Sequence, residues 1–317
     1  MKSKIKIGIT IGDPSGIGPE ITLKALRKFN APRDCEILVF ADKVAFKQSE
    51  LKSNMNKFNL IDLDILKKGE LKQGVLSKKF GSASLSYLKK AVEYLKQGRI
   101  NCLVTAPVSK KAISLNGVGF CGHTEFLAEE FAVRKFVMMF VSEKLKLSLV
   151  TRHIALKDVS KQIKKEDVFN VILLTYDALR NNFGIKQPRM AVSALNPHGP
   201  ETGKEEGAVI KPAIEKFINI YKTKNIHGPL PADTIFNRVL NKELDAVVCM
   251  YHDQGLIPFK MLCFSEGVNL TLGLPFVRTS PVHGTAFDIA GKNKADCSSM
   301  LAAIKLAYTL TKNKLKD

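Results

Sequence analysis

Three histidines follow strand-like runs. His153 comes after the run at 145–150, His198 lies in ALNPHGP at 194–200, and His252 lies in MYHDQG at 250–255. Neutral imidazoles ligate divalent metals, and three of them around an open position suit Lewis-acid chemistry on a bound oxygen. By themselves, three dispersed histidines favour chance placement in loops. Asp253, beside His252, and Asp233, in GPLPADT at 228–234, are carboxylates suited to orienting an imidazole or taking a proton. Asp233 reads equally well as an ordinary first-turn acid of a following helix.

A second group of residues supplies donors for anions. His123 and Thr124, in GHTEF at 122–126, offer an imidazole and a hydroxyl just before a helical pattern. A helix cap explains Thr124 but does not require the neighbouring imidazole. Asn269 and Arg278 lie in GVNLTLGLPFVRTSPVHGTAFDIAGK at 267–292, with Lys260 shortly before, and suit phosphate and carboxylate groups. Surface charge is the alternative for Lys260. The phrase GDPSGIGPE at 12–20 would bring backbone N–H groups to an anion at a helix N-terminus. It is neither the dinucleotide fingerprint nor a P-loop, and a structural turn with Pro19 opening the helix explains it equally well.

These residues need a scaffold that gathers strand ends. Short apolar runs at 5–11, 36–40, 102–105, 136–141, 145–150, 190–194 and 246–250 read as strands. Patterns at 20–29, 82–97, 124–131, 165–183, 205–221, 232–240 and 298–312 read as helices. That alternation is the form of a mostly parallel sheet covered by helices, and loops at its strand ends are where such proteins carry function. All histidines except His153 and His227 fall in Gly/Pro-rich loop phrases, and none falls on a recognisable helix face.

With 317 residues, two domains are expected. The net charge of +19 raises nucleic acid as a partner. The lysines cluster at 43–79, 157–165 and 311–316 without a regular interleaving of aromatics or a recognised binding motif, so a solvated surface outweighs nucleic-acid binding. No run approaches the length of a membrane span and the N-terminus runs straight into a strand, so a soluble, cytoplasmic protein with no membrane partner is expected. Six scattered cysteines with no C-x-x-C pair read as reduced, mostly buried thiols, including Cys121, Cys249 and Cys263 beside the motifs.

The phrases GDPSGIGPE, GHTEF, LNPHGPE, LPADT, MYHDQG and GVNLTLGLPFVRTSPVHGTAFDIAGK occur in an order and spacing that resemble the PdxA family of pyridoxal-phosphate biosynthesis dehydrogenases. The segment 281–292 is also similar to the PVHGSAPDIAGK loop of isopropylmalate dehydrogenase, with Phe287 in place of its Pro and Asp296 in place of a later Asn. The resemblance implies an α/β fold with two α/β/α domains of the isocitrate/isopropylmalate-dehydrogenase-like type and an active-site cleft between them. Residues 1–130 plus 265–317 would form the domain carrying both termini and the NAD-adenosine loop, and 131–264 the central domain carrying metal ligands and dimer contacts.

It further implies that His153, His198 and His252 bind a divalent metal (zinc, magnesium or cobalt), with ligands shared between two subunits of a homodimer. His123, Thr124, Lys260, Asn269 and Arg278 would contact a small phosphorylated amino-acid substrate. His283, Gly284, Thr285 and Asp288 would contact NAD or NADP, and Asp233, Asp253 and Lys260 would handle protons. The implied reaction is oxidation of the C3 hydroxyl of 4-phosphooxy-L-threonine, followed by decarboxylation to 3-amino-2-oxopropyl phosphate. Oxidation of another phosphorylated hydroxy acid, such as a 4-phosphoerythronate-like compound, or of a cyclic dihydrodiol, is the alternative on the same fold.

Overall fold

Buried strands organise the computed structural model, which describes residues 4–315. The chain divides into two compact units at 134/135 and 273/274. Both units are mixed α/β. No described helix is long and apolar enough to cross a membrane.

The first unit contains β1 (Ile5–Thr10), β2 (Cys35–Ala41), β3 (Asn59–Asp62) and β4 (Cys102–Thr105). The second contains β5 (Val137–Val141), β6 (Lys146–Leu149), β7 (Met190–Ser193), β8 (Ile226–Leu230), β9 (Ala246–Cys249) and β10 (Val268–Leu272). The chain then returns to the first unit as β11 (Val277–Pro281).

In the first unit the order is β3-β2-β1-β4-β11, with every pairing parallel. Ile7, Ile9, Leu103 and Val104 are fully buried, as expected when helices cover both faces of a parallel sheet. Helix Lys78–Lys96 packs on β1, β2 and β4, and helix Ser298–Lys314 on β1, β4 and β11. Helix Gly18–Lys28 buries Ile21, Leu23, Ala25 and Leu26, with Glu20 in its first turn and Arg27 and Lys28 in its last, complementing the helix dipole. A Cβ on Gly18 would lie 1.9 Å from the Ile11 carbonyl oxygen, so only glycine lets this helix start so close to the end of β1.

The loop between β1 and that helix is tied down from both sides. Ser15 Oγ accepts the Val75 N–H at 2.8 Å and donates to the carbonyls of Lys72 and Val75, and the Ile17 N–H donates to the Thr285 carbonyl at 3.0 Å. Asp13 is fully buried. Its Oδ1 accepts the Ser15 N–H at 3.0 Å, while Oδ2 has no hydrogen-bond partner, and burial pushes its pKa up to about 6.

A folded-state pKa above the unfolded value of 3.8 means the folded chain holds the extra proton between pH ~4 and ~6. The ionised carboxylate therefore costs stability above that window, by about 3 kcal/mol on a shift of this size. Asp13→Asn, which keeps the acceptor, should raise the thermal midpoint at pH 7.5 and leave it nearly unchanged near pH 3.5. Equal midpoints at pH 7.5 would show that the buried carboxylate carries no such cost.

In the second unit the order is β10-β5-β6-β9-β7-β8. The β10–β5 and β5–β6 pairings are antiparallel, and β6–β9, β9–β7 and β7–β8 are parallel. The parallel strands β6 and β7 run into the loops that carry His153 and His198, and β9 leads into the helix that His252 opens.

The structure departs from the pattern reading in several places. Strands β3, β8, β10 and β11 are additional. His252 is not in a loop but opens helix His252–Cys263, and His123 likewise opens helix His123–Glu130. Cys121 is exposed, unlike Cys102, Cys249, Cys263 and Cys297.

Candidate active site

Arg278 is the second residue of β11 and is only 2% exposed. Burying a guanidinium is costly unless its donors are used, and here both terminal nitrogens are engaged. Nη2 donates to Thr105 Oγ1 at 2.6 Å and Nη1 to Thr124 Oγ1 at 3.4 Å. Burial lowers the Arg278 pKa to about 10, with Glu125 opposing the shift, so the group stays charged at neutral pH.

Thr124 does not cap its helix. The cap position is Gly122, and the buried Thr124 hydroxyl faces the arginine instead. Beside it, His123 Nε2 is buried without a hydrogen-bond partner. Burial first, then the Arg278 and Lys110 charges, hold the His123 pKa well below its ordinary value, so the ring is neutral at pH 7. Phe120 meets that ring edge-on at 6.0 Å between centroids.

Thr105 and Lys110 belong to this cluster, although sequence reasoning assigned them no role. A Cβ on Gly122 would sit 3.5 Å from Lys110 Nζ, which places that ammonium beside the start of the helix. Their signal in the sequence is the position of VTAPVSK at a strand end. One guanidinium, one ammonium, a hydroxyl and an unpartnered imidazole nitrogen form a site for an anionic group.

The second unit gathers two of the three candidate metal ligands. The rings of His153 and His252 lie 5.7 Å apart between centroids, on a cavity of about 200 Å³ also lined by Arg152, Ile154, Tyr251 and Asp253. His252 Nδ1 lies 2.7 Å from Asp253 Oδ1. That carboxylate favours the Nδ1–H tautomer and leaves Nε2 its lone pair, the usual arrangement behind a ligating histidine. Two imidazoles meeting one ion at about 2.1 Å each need roughly this ring separation, so the pair fits a divalent metal.

His198 is exposed, and its ring makes no hydrogen bond among the described residues. Among those residues no group of three His, Cys, Asp or Glu side chains is arranged to hold a metal ion. Within one chain, then, His198 does not complete the pair.

Gln254, also unassigned by the sequence, links two of these loops. Its Oε1 accepts the Met250 N–H at 2.7 Å and its Nε2 donates to the Ala194 carbonyl at 2.7 Å, joining the ends of β9 and β7. Asp233 lies in the first turn of helix Ala232–Leu240 and is exposed. Lys260 is exposed on helix His252–Cys263, seven residues after Asp253 and so on the same face. Asn269, on β10, has a buried Oδ1 with no partner.

Of the candidate cofactor residues, Thr285 holds the first loop through its carbonyl, as described above. His283 Nδ1 is 3.2 Å from the Gly284 carbonyl, while its Nε2 is buried without a partner, and burial lowers its pKa. Gly284 and Asp288 are exposed. The orphaned His283 nitrogen fits a polar group of a dinucleotide.

The family model "Pyridoxal phosphate biosynthetic protein PdxA" matches residues 18–307. A 4-hydroxythreonine-4-phosphate dehydrogenase from Sulfurihydrogenibium sp. is 41% identical, over 96% of this chain and 98% of that protein. A protein named "Putative D-threonate 4-phosphate dehydrogenase" from Oceanobacillus iheyensis is also 41% identical, over 99% of this chain and all of that one. The crystal structure of 4-hydroxythreonine-4-phosphate dehydrogenase from Klebsiella pneumoniae superposes with a TM-score of 0.85 at 34% identity, covering 98% of each chain. With its motifs, its fold and these relatives in agreement along nearly its whole length, the chain belongs to the PdxA family of pyridoxal phosphate biosynthetic proteins.

Proposed function

We propose that the protein oxidises the C3 hydroxyl of 4-phosphooxy-L-threonine with NAD or NADP and decarboxylates the resulting β-keto acid to 3-amino-2-oxopropyl phosphate, in pyridoxal 5'-phosphate biosynthesis. The observation that carries this reading is the buried Arg278 guanidinium, aligned by Thr105 and Thr124 beside neutral His123, in a chain of this family. When bound, the nicotinamide accepts the hydride, and a divalent ion lowers the pKa of the hydroxyl and polarises the ketone that follows.

The chain's own residues bind, orient and move protons. Arg278, Thr124 and His123 hold an anionic group of the substrate, with Lys260 and Asn269 as further contacts. Asn269 offers its unpartnered Oδ1 to a donor such as the substrate ammonium. His153 and His252 hold the ion, and their imidazole donors favour zinc or cobalt over magnesium. Asp253 fixes the His252 tautomer, and Asp233, Asp253 and Lys260 are the groups assigned to take the hydroxyl proton and return one to the carbon that loses CO2. His283, Gly284, Thr285 and Asp288 receive the dinucleotide, in a fold of the isocitrate/isopropylmalate-dehydrogenase-like type.

A homodimer would supply the missing ligand, His198 of the partner subunit. The helix that opens with His252 supports this, because Ile257, Met261 and Phe264 form an apolar stripe that is 58%, 82% and 67% exposed.

The Oceanobacillus relative motivates a second reading, oxidation of a phosphorylated hydroxy acid that lacks the amino group. Purified protein with NAD or NADP, a divalent metal and either 4-phosphooxy-L-threonine, D-threonate 4-phosphate or D-erythronate 4-phosphate, followed as NADH or NADPH at constant salt, separates the two. The highest kcat/KM should fall on 4-phosphooxy-L-threonine. A preference for either sugar acid would move the assignment to it, and no NADH or NADPH with any of the three would reject both.

A further inference from the structure

One buried carboxylate directs its hydrogen bonds to a single loop, the one that carries His198. Glu206 is fully buried. Its Oε1 accepts the backbone N–H groups of Leu195 at 2.9 Å and Asn196 at 2.8 Å, and its Oε2 accepts from Asn196 Nδ2 at 3.1 Å. The same Asn196 amide donates to Glu205 Oε2 at 3.0 Å, and Glu205 Oε1 in turn accepts the Ser160 hydroxyl. Ser160 lies seven residues after His153, in the short helix Val159–Gln162.

The far side of the loop is closed as well. The Thr202 hydroxyl donates to the Pro197 carbonyl, and a Cβ on Gly203 would fall 2.0 Å from Asn196 Nδ2. Between these anchors His198 sits exposed in the left-handed region, at φ 59°, with no hydrogen bond of its own among the described residues. The roots of the loop, not contacts of the ring, therefore set where the imidazole points.

We propose that Glu206, supported by Glu205, is the positioning residue that presents His198 as an outward-facing metal ligand and keeps its loop in register with the segment after His153. This rests on the reading of His198 as a ligand. A buried acceptor for two adjacent N–H groups is a strong local constraint, because removing it orphans both donors at once. Partners hydrogen-bonded to a ligand typically change metal affinity about 10- to 100-fold when lost, and a loop anchor that fixes the ligand's position is expected to act on the same scale.

The test compares full-length wild type with the E206A, E206Q, G203A and H198A variants, each stripped of metal. Zinc affinity is measured by competition with a chromophoric chelator, and the thermal midpoint without metal is read in parallel. E206A should weaken zinc by about 10- to 100-fold. E206Q keeps one oxygen for both N–H groups but turns an NH2 donor toward Asn196 Nδ2, so its zinc affinity should fall between those of wild type and E206A. G203A, which displaces Asn196 from the other side, should weaken zinc as E206A does and serves if E206A does not fold.

A lowered midpoint with unchanged zinc affinity in E206A and G203A would make Glu206 a purely structural anchor and overturn the proposal. If H198A binds zinc as wild type does, or wild type binds none, the ligand reading itself fails and takes the proposal with it. That outcome is distinct from loss in H198A alone.

Discussion

Arg278→Met should lower kcat/KM for the phosphorylated substrate by at least about 10²-fold, most of it in KM. Truncating one side of a buried, hydrogen-bonded charge contact costs about 2–5 kcal/mol, which spans roughly 30- to 4,000-fold. The Arg278 side chain is 2% exposed and aligned by the hydroxyls of Thr105 and Thr124, so its fork is held in one orientation that the Lys110 ammonium does not reproduce. Methionine fills much of the volume and removes the desolvation cost of a buried guanidinium, which offsets the hydrogen bonds lost to Thr105 and Thr124. The thermal midpoint should therefore hold while binding is lost.

Arg278→Lys keeps the charge but not the fork, and should stay at least about 10-fold below wild type. Steady-state kinetics in kcat and KM, together with the midpoint, check both variants. A KM within 3-fold of wild type in Arg278→Met would remove the arginine from the substrate site. The wild-type KM should also show no histidine-like titration from His123 between pH 6 and 8, because burial and the two neighbouring cations keep that ring neutral throughout the range.

The arrangement around Arg278 also marks where reading the chain from residue types stops. Thr105 and Thr124 lie 173 and 154 positions away from it, so nothing local foretold that their hydroxyls would align the guanidinium. The buried parallel strands were plain, since β1, β4, β7 and β9 are short apolar runs between turn signals. Strand β3 was hidden because NLID is partly exposed at a sheet edge, and β8 because IHGPL contains the Gly-Pro pair that normally breaks a strand.

Helix His252–Cys263 was hidden for a similar reason. Gly255 and Pro258 both argue against a helix. The glycine is instead needed where the helix meets Leu147 and Cys249, and burial of Leu256, Phe259 and Cys263 outweighs the proline penalty of about 3 kcal/mol. The lysine excess reads more simply. Lys43, Lys67 and Lys79 in the basic stretch form exposed pairs with Asp62, Asp64 and Glu70, which contribute little energy, and the cations proposed to act on substrate are Arg278 and Lys260.

His252→Ala should abolish tight metal binding and turnover together while leaving the fold intact. The side chain is 35% exposed at the first position of its helix, so its removal leaves no cavity in the core. A bound zinc ion contributes about 10–16 kcal/mol in a fully protein-ligated site, so losing one ligand costs on the order of 10²- to 10³-fold in affinity. Asp253→Asn separates two roles. Its amide oxygen can still accept from Nδ1–H but carries no charge, so metal affinity should fall only about 10-fold, as for partners that orient a ligand. If Asp253 also moves the substrate proton, kcat at saturating metal should fall much further than that affinity does. Metal titration by chelator competition and steady-state kinetics on both variants read these quantities independently. Near-wild-type turnover of His252→Ala in metal-free buffer would sink the metal role, and with it the assignment of His153, because the 5.7 Å pairing of the two rings is the geometric reason for treating them as one site.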